Sequence, residues 1–179
     1  MTSQQHNNCL IVVMGVSGCG KSTIGCQLAD ALAIPFRDAD DFHSQANVQK
    51  MANGIPLDDQ DREPWLRSIV DFAAAEVKNG KSIVVACSAL KKKYRDQLRQ
   101  TPCPVWFVHL TASFELIHQR LAARKDHFMT ASLLESQFEA LESPAGEART
   151  LEVSVDQPVA AVVDEALRRF NLANDAESE

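Results

Sequence analysis

No apolar run in this chain approaches the roughly 20 residues that a bilayer-spanning helix needs. The opening residues Met1–Asn8 are polar and lack the basic-then-apolar order of a signal peptide. Positive charge is in deficit: 18 Lys+Arg stand against 24 Asp+Glu, a formal net charge of -6. That balance gives no electrostatic case for nucleic acid or an acidic membrane as partner. The cysteines Cys9, Cys19, Cys26, Cys87 and Cys103 nowhere show C-x-x-C spacing, so neither a zinc site nor a disulfide framework is supported. Reduced thiols in the cytoplasm are expected. Internal repeats, low-complexity segments and long linkers are missing too. So are the D-x-x-G and N-K-x-D strings that GTP-binding switches carry.

What is present is one domain's worth of chain, 179 residues at 45% hydrophobic content, enough for a sizeable core. Its most informative stretch is Gly15-Val16-Ser17-Gly18-Cys19-Gly20-Lys21-Ser22, which matches G-x-x-x-x-G-K-[ST] at every fixed position. The apolar run Leu10–Met14 leads in as a strand, and Ile24, Leu28, Ala31 and Leu32 lead out at helical spacing. Strand, glycine loop and helix start aim backbone N–H groups and a positive helix end at one anion. Lys21 adds a full charge, and the Ser22 hydroxyl is suited to Mg²⁺. The expected nucleotide-binding set is Gly15, Val16, Ser17, Gly18, Cys19, Gly20, Lys21, Ser22 and Thr23, with Cys19 contributing backbone only. A dinucleotide reading fails on spacing, because the third glycine of G-x-G-x-x-G would fall at Thr23.

Strands are expected at Leu10–Met14, Phe36–Asp40, Ile83–Ala86, Val105–Leu110 and Leu151–Val155, alternating with amphipathic helices. That alternation predicts a three-layer α/β/α P-loop NTPase fold, with a five-stranded parallel sheet and a helical lid over about residues 120–142. The P-loop domain is expected to run from 9 to 172, between flexible tails at 1–8 and 173–179. In such sheets ligands collect beyond the carboxyl ends of the strands. The glycine loop, the Asp38–His43 cluster and Cys87-Ser88 all fall at such ends and should share one crevice.

Within Asp38-Ala39-Asp40-Asp41-Phe42-His43, a carboxylate opposite the phosphate loop accepts a hydroxyl proton and orients the oxygen for in-line attack. Asp40 is assigned as that base, and Asp38 as support near the metal with Ser22, directly or through water. Alone, the same acids would merely end a strand and solvate a turn. His43 reads either as a hydrogen-bond partner for a polyol or as a surface-loop histidine. The run Ser88–Arg95 is either a solvated helix face or a source of Ser88, Lys91 and Arg95 for an anionic substrate. Arg62 and Trp65 lie where an acceptor pocket would be, although Trp65 also fits core packing. The segment Arg120–Phe128 is either a helix end stabilised by cations or a lid closing basic side chains over the phosphoryl group.

Together these residues resemble the gluconate kinase (gluconokinase) family of small P-loop kinases. The resemblance rests on the phosphate loop, Asp38–His43, Lys50–Leu57, Asp61–Leu66, Cys87–Lys91, Tyr94–Asp96, Arg124–Met129, Ser136–Glu142 and Val155–Pro158. It runs from about Leu10 to about Phe170. Departures from the commoner pattern are Cys19 for serine, Ala39 for glycine, Asp126 for glycine, and Ser44-Gln45 for a proline-bearing turn. The resemblance implies an ATP- and Mg²⁺-dependent carbohydrate kinase that converts D-gluconate to 6-phospho-D-gluconate, in gluconate use feeding the pentose phosphate or Entner–Doudoroff route. It further implies a cytoplasmic homodimer. Lys21, Asp40 and Arg124 become the catalytic set, and Arg120, Gln157 and Pro158 join the nucleotide site. Asp40, His43, Arg62, Ser88, Lys91, Arg95, Arg124 and His127 become the acceptor site. Which of Arg62, Lys91, Arg95 and Arg124 grips the carboxylate stays open. The rivals are a kinase of the same fold acting on shikimate or another sugar acid, a nucleotide-dependent switch, and an inactive nucleotide-binding module.

Overall fold

Leu10–Met14 forms the central strand, β1, and all five of its side chains are buried. The other strands are β2 (Phe36–Asp38), β3 (Ile83–Ala86), β4 (Val105–Thr111) and β5 (Thr150–Ser154). The helices are α1 (Lys21–Leu32), α2 (Gln45–Ala52), α3 (Asp59–Lys78), α4 (Lys92–Leu98), α5 (Phe114–Ala122), α6 (Ala131–Ala140) and α7 (Val159–Glu177). This computed structural model describes residues 8–124 and 130–179. Every neighbouring pair of strands is parallel, in the spatial order β2-β3-β1-β4-β5.

Side chains alternate across a strand, so β1 supplies both cores. Ile11 and Val13 join Trp106, Val108, Val153, Leu28, Ile117 and Phe170 on the face covered by α1, α5 and α7. Leu10, Val12 and Met14 join Val85, Phe107, Leu66, Ile69 and Leu98 on the face covered by α3 and α4. Each fully buried aliphatic side chain is worth at most about 1.5–3 kcal/mol. That is enough to offset the roughly 1–2 kcal/mol of backbone entropy lost per residue. The three-layer α/β/α arrangement follows from covering both faces.

The expected ranges of β4 and β5 move by one residue, and two boundaries shift further. β2 ends at Asp38, short of Asp40, because the Asp38 side chain accepts from the Asp40 N–H and caps a 3₁₀ turn over Ala39–Phe42. α7 continues through the expected C-terminal tail to Glu177. Phe170 is buried, Ala173 packs on the core, and the Glu177 carboxylate accepts from Arg149 Nε at 2.8 Å. Residues 1–7 of the expected N-terminal tail lie outside the described residues.

Candidate active site

The phosphate loop leaves β1 through a glycine that no other residue can replace. Gly15 has φ +146°, and an added Cβ would lie 2.8 Å from Cys19 Sγ and 2.9 Å from the Leu110 carbonyl oxygen. At the loop's other end, Gly20 (φ 94°) precedes α1, and no side chain caps the helix start. The first-turn N–H groups and the positive helix end are therefore left for an anion. Lys21 Nζ donates to the Val16 carbonyl oxygen at 3.1 Å, so its ammonium folds over the loop. Cys19 is buried and its thiol pKa is raised, burial outweighing the opposing charge of Lys21. That suits a residue contributing backbone only.

The acidic turn after β2 meets the loop directly. Ser22 Oγ donates to Asp38 Oδ2 at 2.5 Å, while Asp38 Oδ1 accepts from the Asp40 N–H at 3.0 Å. Hydroxyl and carboxylate oxygens side by side are the hard donors that Mg²⁺ takes, with phosphate oxygens and water completing its shell. The Asp40 side chain is 85% exposed, so its carboxylate is open to solvent. Its pKa is raised, by partial desolvation first and by the Asp38 charge second; His43 and Lys21 pull it down. The buried Cys87 thiol, at the end of β3, is pushed up to about 12 by burial. Cys87 feels the charges of Lys21, Asp40 and Asp38 together, so three strand ends converge electrostatically, as the topology requires.

Facing this turn is a wall built from α2, α3 and α4. The His43 side chain is only 4% exposed and stacks on Trp65, with ring centroids 4.3 Å apart and planes 14° apart. Trp65 Nε1 donates to the Ala39 carbonyl oxygen at 2.7 Å, so Trp65 supports the acidic turn as well as the core. Arg62 Nη1 donates to the Leu57 carbonyl oxygen at 2.7 Å and to Tyr94 Oη at 3.2 Å. Its charge also helps depress the His43 pKa, which places guanidinium and imidazole on one wall. Tyr94 in turn donates to Asp59 Oδ1 at 2.6 Å. Lys91 Nζ lies 3.9 Å from the same carboxylate, and Lys93 pairs with it. Hydrogen bonds from Lys93 and then Tyr94 bring the Asp59 pKa down to about 2. Ser88 is half-buried between Cys87 and Ala89, and its carbonyl oxygen accepts from the Gly15 N–H at 3.3 Å.

Arg95 is a correction to the expected acceptor set. It is fully buried, and all five guanidinium N–H groups are spent inside the protein. Nε and Nη2 grip Glu147 at 2.9 and 2.8 Å, and Nη2 also donates to the Glu142 carbonyl oxygen at 2.9 Å. Nη1 holds the carbonyls of Ala89 and Leu90 at 2.8 and 3.0 Å. Ala89 has φ 45°, a left-handed conformation that a non-glycine residue keeps only when its surroundings enforce it. Arg95 thus shapes the Ser88–Lys91 loop from beneath and has no donor left for a ligand.

On the nucleotide side, Arg120 Nη2 donates to the Val155 carbonyl oxygen at 2.6 Å. Gln157 Nε2 bonds the Ser154 carbonyl and Glu165, both at 2.9 Å, and Pro158 starts α7. Arg124 is exposed just beyond α5, and His127 lies outside the described residues. Contacts that the sequence reading did not single out are those of Asn47, Gln137, Glu142 and Glu147. Gln137 Oε1, on α6, accepts from both the N–H and the hydroxyl of Ser17 at 3.3 Å. Glu142 Oε2 accepts from the Lys92 N–H at 2.9 Å. Only the Ser136–Glu142 resemblance pointed toward this region.

A phosphate loop after β1 and paired carboxylates after β2, two strands along the sheet, put the protein among P-loop phosphotransferases for small acceptors. Comparison with known proteins narrows the class. The model of the Shikimate kinase family matches residues 17–170. A "Probable gluconokinase" of Rattus norvegicus is 46% identical over 180 residues, covering 89% of this chain and 97% of that one. The "Thermoresistant gluconokinase" of Escherichia coli (strain K12) is 43% identical over 164 residues, covering 91% and 94%. The crystal structure of a gluconokinase from Sinorhizobium meliloti 1021 superposes with TM-score 0.87 at 43% identity, covering 97% of each chain. The chain belongs to the gluconokinase family. Shikimate kinase from Bacteroides thetaiotaomicron, at 18% identity and TM-score 0.66, shares the fold.

Proposed function

We propose that this protein transfers the γ-phosphoryl group of ATP to the 6-hydroxyl of D-gluconate, giving 6-phospho-D-gluconate and ADP. The observation that supports the reading is the Ser22–Asp38 contact, which ties the acidic turn carrying Asp40 to the phosphate loop. The gluconokinase relatives supply the acceptor. In this reading the loop from Gly15 to Thr23, with Lys21, holds the nucleotide phosphates through those of its amides that Ser88, Gln137 and Val16 do not already engage. Arg120 and the Gln157-Pro158 turn border the nucleoside. Ser22, and Asp38 directly or through water, would hold Mg²⁺, which would supply charge neutralisation at the phosphate oxygens. Asp40 orients the 6-hydroxyl and takes its proton as the new O–P bond forms. A primary hydroxyl is a weak acid, so position matters more than basicity.

The acceptor carboxylate falls to Arg62, with Lys91 beside it. Among the described residues Arg62 hydrogen-bonds through Nη1 only, and its planar fork suits a carboxylate. Ser88 and His43 meet hydroxyls. Arg124, exposed just beyond α5, absorbs charge on the transferring phosphoryl group. A homodimer is the assembly implied by the family resemblance, and light scattering decides it. A cytoplasmic site suits five unpaired cysteines and the need for ATP. The test of function is a coupled ADP-release assay over D-gluconate, shikimate and other sugar acids. D-gluconate should dominate kcat/KM; a preference for shikimate would overturn the assignment, and is the second reading because of the family-model match.

A further inference from the structure

Beneath Asp40 runs a hydrogen-bond relay whose direction is set by one backbone carbonyl. Asn47, on α2, is only 6% exposed, and its Nδ2 lies 3.0 Å from the Asp61 carbonyl oxygen. A carbonyl oxygen only accepts, so the atom facing it must be the amide NH₂. Turning the amide round would set two oxygens against each other. The same NH₂ lies 3.4 Å from His43 Nδ1. A donor there needs a lone pair on Nδ1, and a neutral imidazole then carries its proton on Nε2. The ring stays neutral because burial lowers its pKa, with Asp40 opposing and Arg62 adding to the effect. Its plane is fixed by the stack on Trp65.

His43 Nε2 therefore presents an N–H toward Asp40 Oδ1, 3.8 Å away. That gap is too wide for a direct hydrogen bond. One oxygen at about 2.8 Å from each atom would bridge it. A hydroxyl oxygen can donate to the carboxylate while accepting from the N–H. We propose that Asn47 is a positioning residue that fixes His43 as the Nε2–H tautomer, so that His43 and Asp40 form a donor–acceptor pair holding the acceptor hydroxyl. This deepens the kinase reading above and rests on it. The hydroxyl proton is directed to Asp40, one lone pair is taken by His43, and the remaining lone pair faces the γ-phosphorus. As that O–P bond forms, the bond from the γ-phosphorus to the β–γ bridging oxygen breaks. Its electron pair leaves with ADP, and the hydroxyl proton passes to Asp40.

Long-range ¹H–¹⁵N correlation on ¹⁵N-histidine-labelled enzyme, without substrates, reads the tautomer directly; His43→Gln identifies the His43 signals. The expected result is a bare Nδ1 and a protonated Nε2; a proton on Nδ1 in the wild type overturns the proposal. Because no acceptor is present, this reading is independent of whether D-gluconate is the substrate. Asn47→Leu should release the constraint and give mixed tautomers, and an unchanged Nε2–H form there would remove Asn47 from the relay. In kinetics, His43→Phe keeps the stack but loses the donor. It should lower kcat about 10–100-fold, with KM for ATP within about twofold. His43→Gln, which regains an N–H, should recover about tenfold of that loss. Equal activity of His43→Phe and wild type would contradict the donor role. The wild-type spectrum keeps the test standing should an Asn47 variant fail to fold.

Discussion

Replacing Arg95 by methionine removes a buried guanidinium while keeping most of its stem volume. The side chain is fully buried and makes hydrogen bonds to Ala89, Leu90, Glu142 and Glu147. Glu147 would retain Arg99, whose Nη2 donates to it at 2.7 Å, so its carboxylate is not left without a cation. The carbonyls of Ala89 and Leu90 lose their Arg95 bonds. Breaking a buried pair costs about 3–5 kcal/mol, and the surviving Arg99 contact argues for the lower end. For a chain of this size each kcal/mol moves Tm by about 2–4 °C, so Arg95→Met should melt about 6–12 °C lower. Scanning fluorimetry without ligands measures it, and D-gluconate kinetics well below the new Tm separate folding from binding. A Tm within about 2 °C of wild type, with KM for gluconate raised tenfold, would refute the structural role and return Arg95 to the acceptor site.

The same cluster gives an acid-stability prediction. The hydrogen bond from Arg95, and then that from Arg99, brings the Glu147 pKa from 4.5 to about 2. A depressed carboxylate pKa gives stability that is complete above 4.5 and lost as pH falls toward 2, worth at most about 3 kcal/mol and less where water and salt screen it. Glu147→Gln should flatten the fall of Tm across that window, and parallel curves would contradict the linkage. Lys21→Ala removes a charge-assisted contact worth about 1.5–3 kcal/mol, so affinity for a non-hydrolysable ATP analogue should fall about 10–100-fold by calorimetry. Unchanged affinity and turnover would contradict the phosphate-loop assignment.

The phosphate loop was legible because its requirements are local: a glycine with positive φ, an uncapped helix start and a lysine lie within eight consecutive residues. β1, β3 and β4 were legible because strands covered on both faces are unbroken apolar runs. Parallel topology then predicted that the acidic turn after β2 lies near the phosphate loop, and Asp38 meets Ser22 there. Arg95 was misread because Lys91–Arg95 looks like a solvated charge run, whereas its partner Glu147 lies 52 residues further on. Asn47 gave no signal, since its burial and its Asp61 partner depend on how α2 meets α3. The end of β2 moved because a side-chain cap at Asp38 competes locally with the strand ladder. The helical extension of α7 to Glu177 is accompanied by an ion pair with Arg149, 28 residues earlier, that no local pattern announces.

The claim on which all of this turns is that Asp40 faces an alcohol held against the nucleotide-binding loop. Turnover of Asp40→Asn with D-gluconate, set beside its affinity for an ATP analogue, tests it most directly. Turnover should fall about 10²–10⁴-fold, the usual range for losing a general base, while nucleotide affinity stays within about threefold. Turnover near the wild-type value would contradict it.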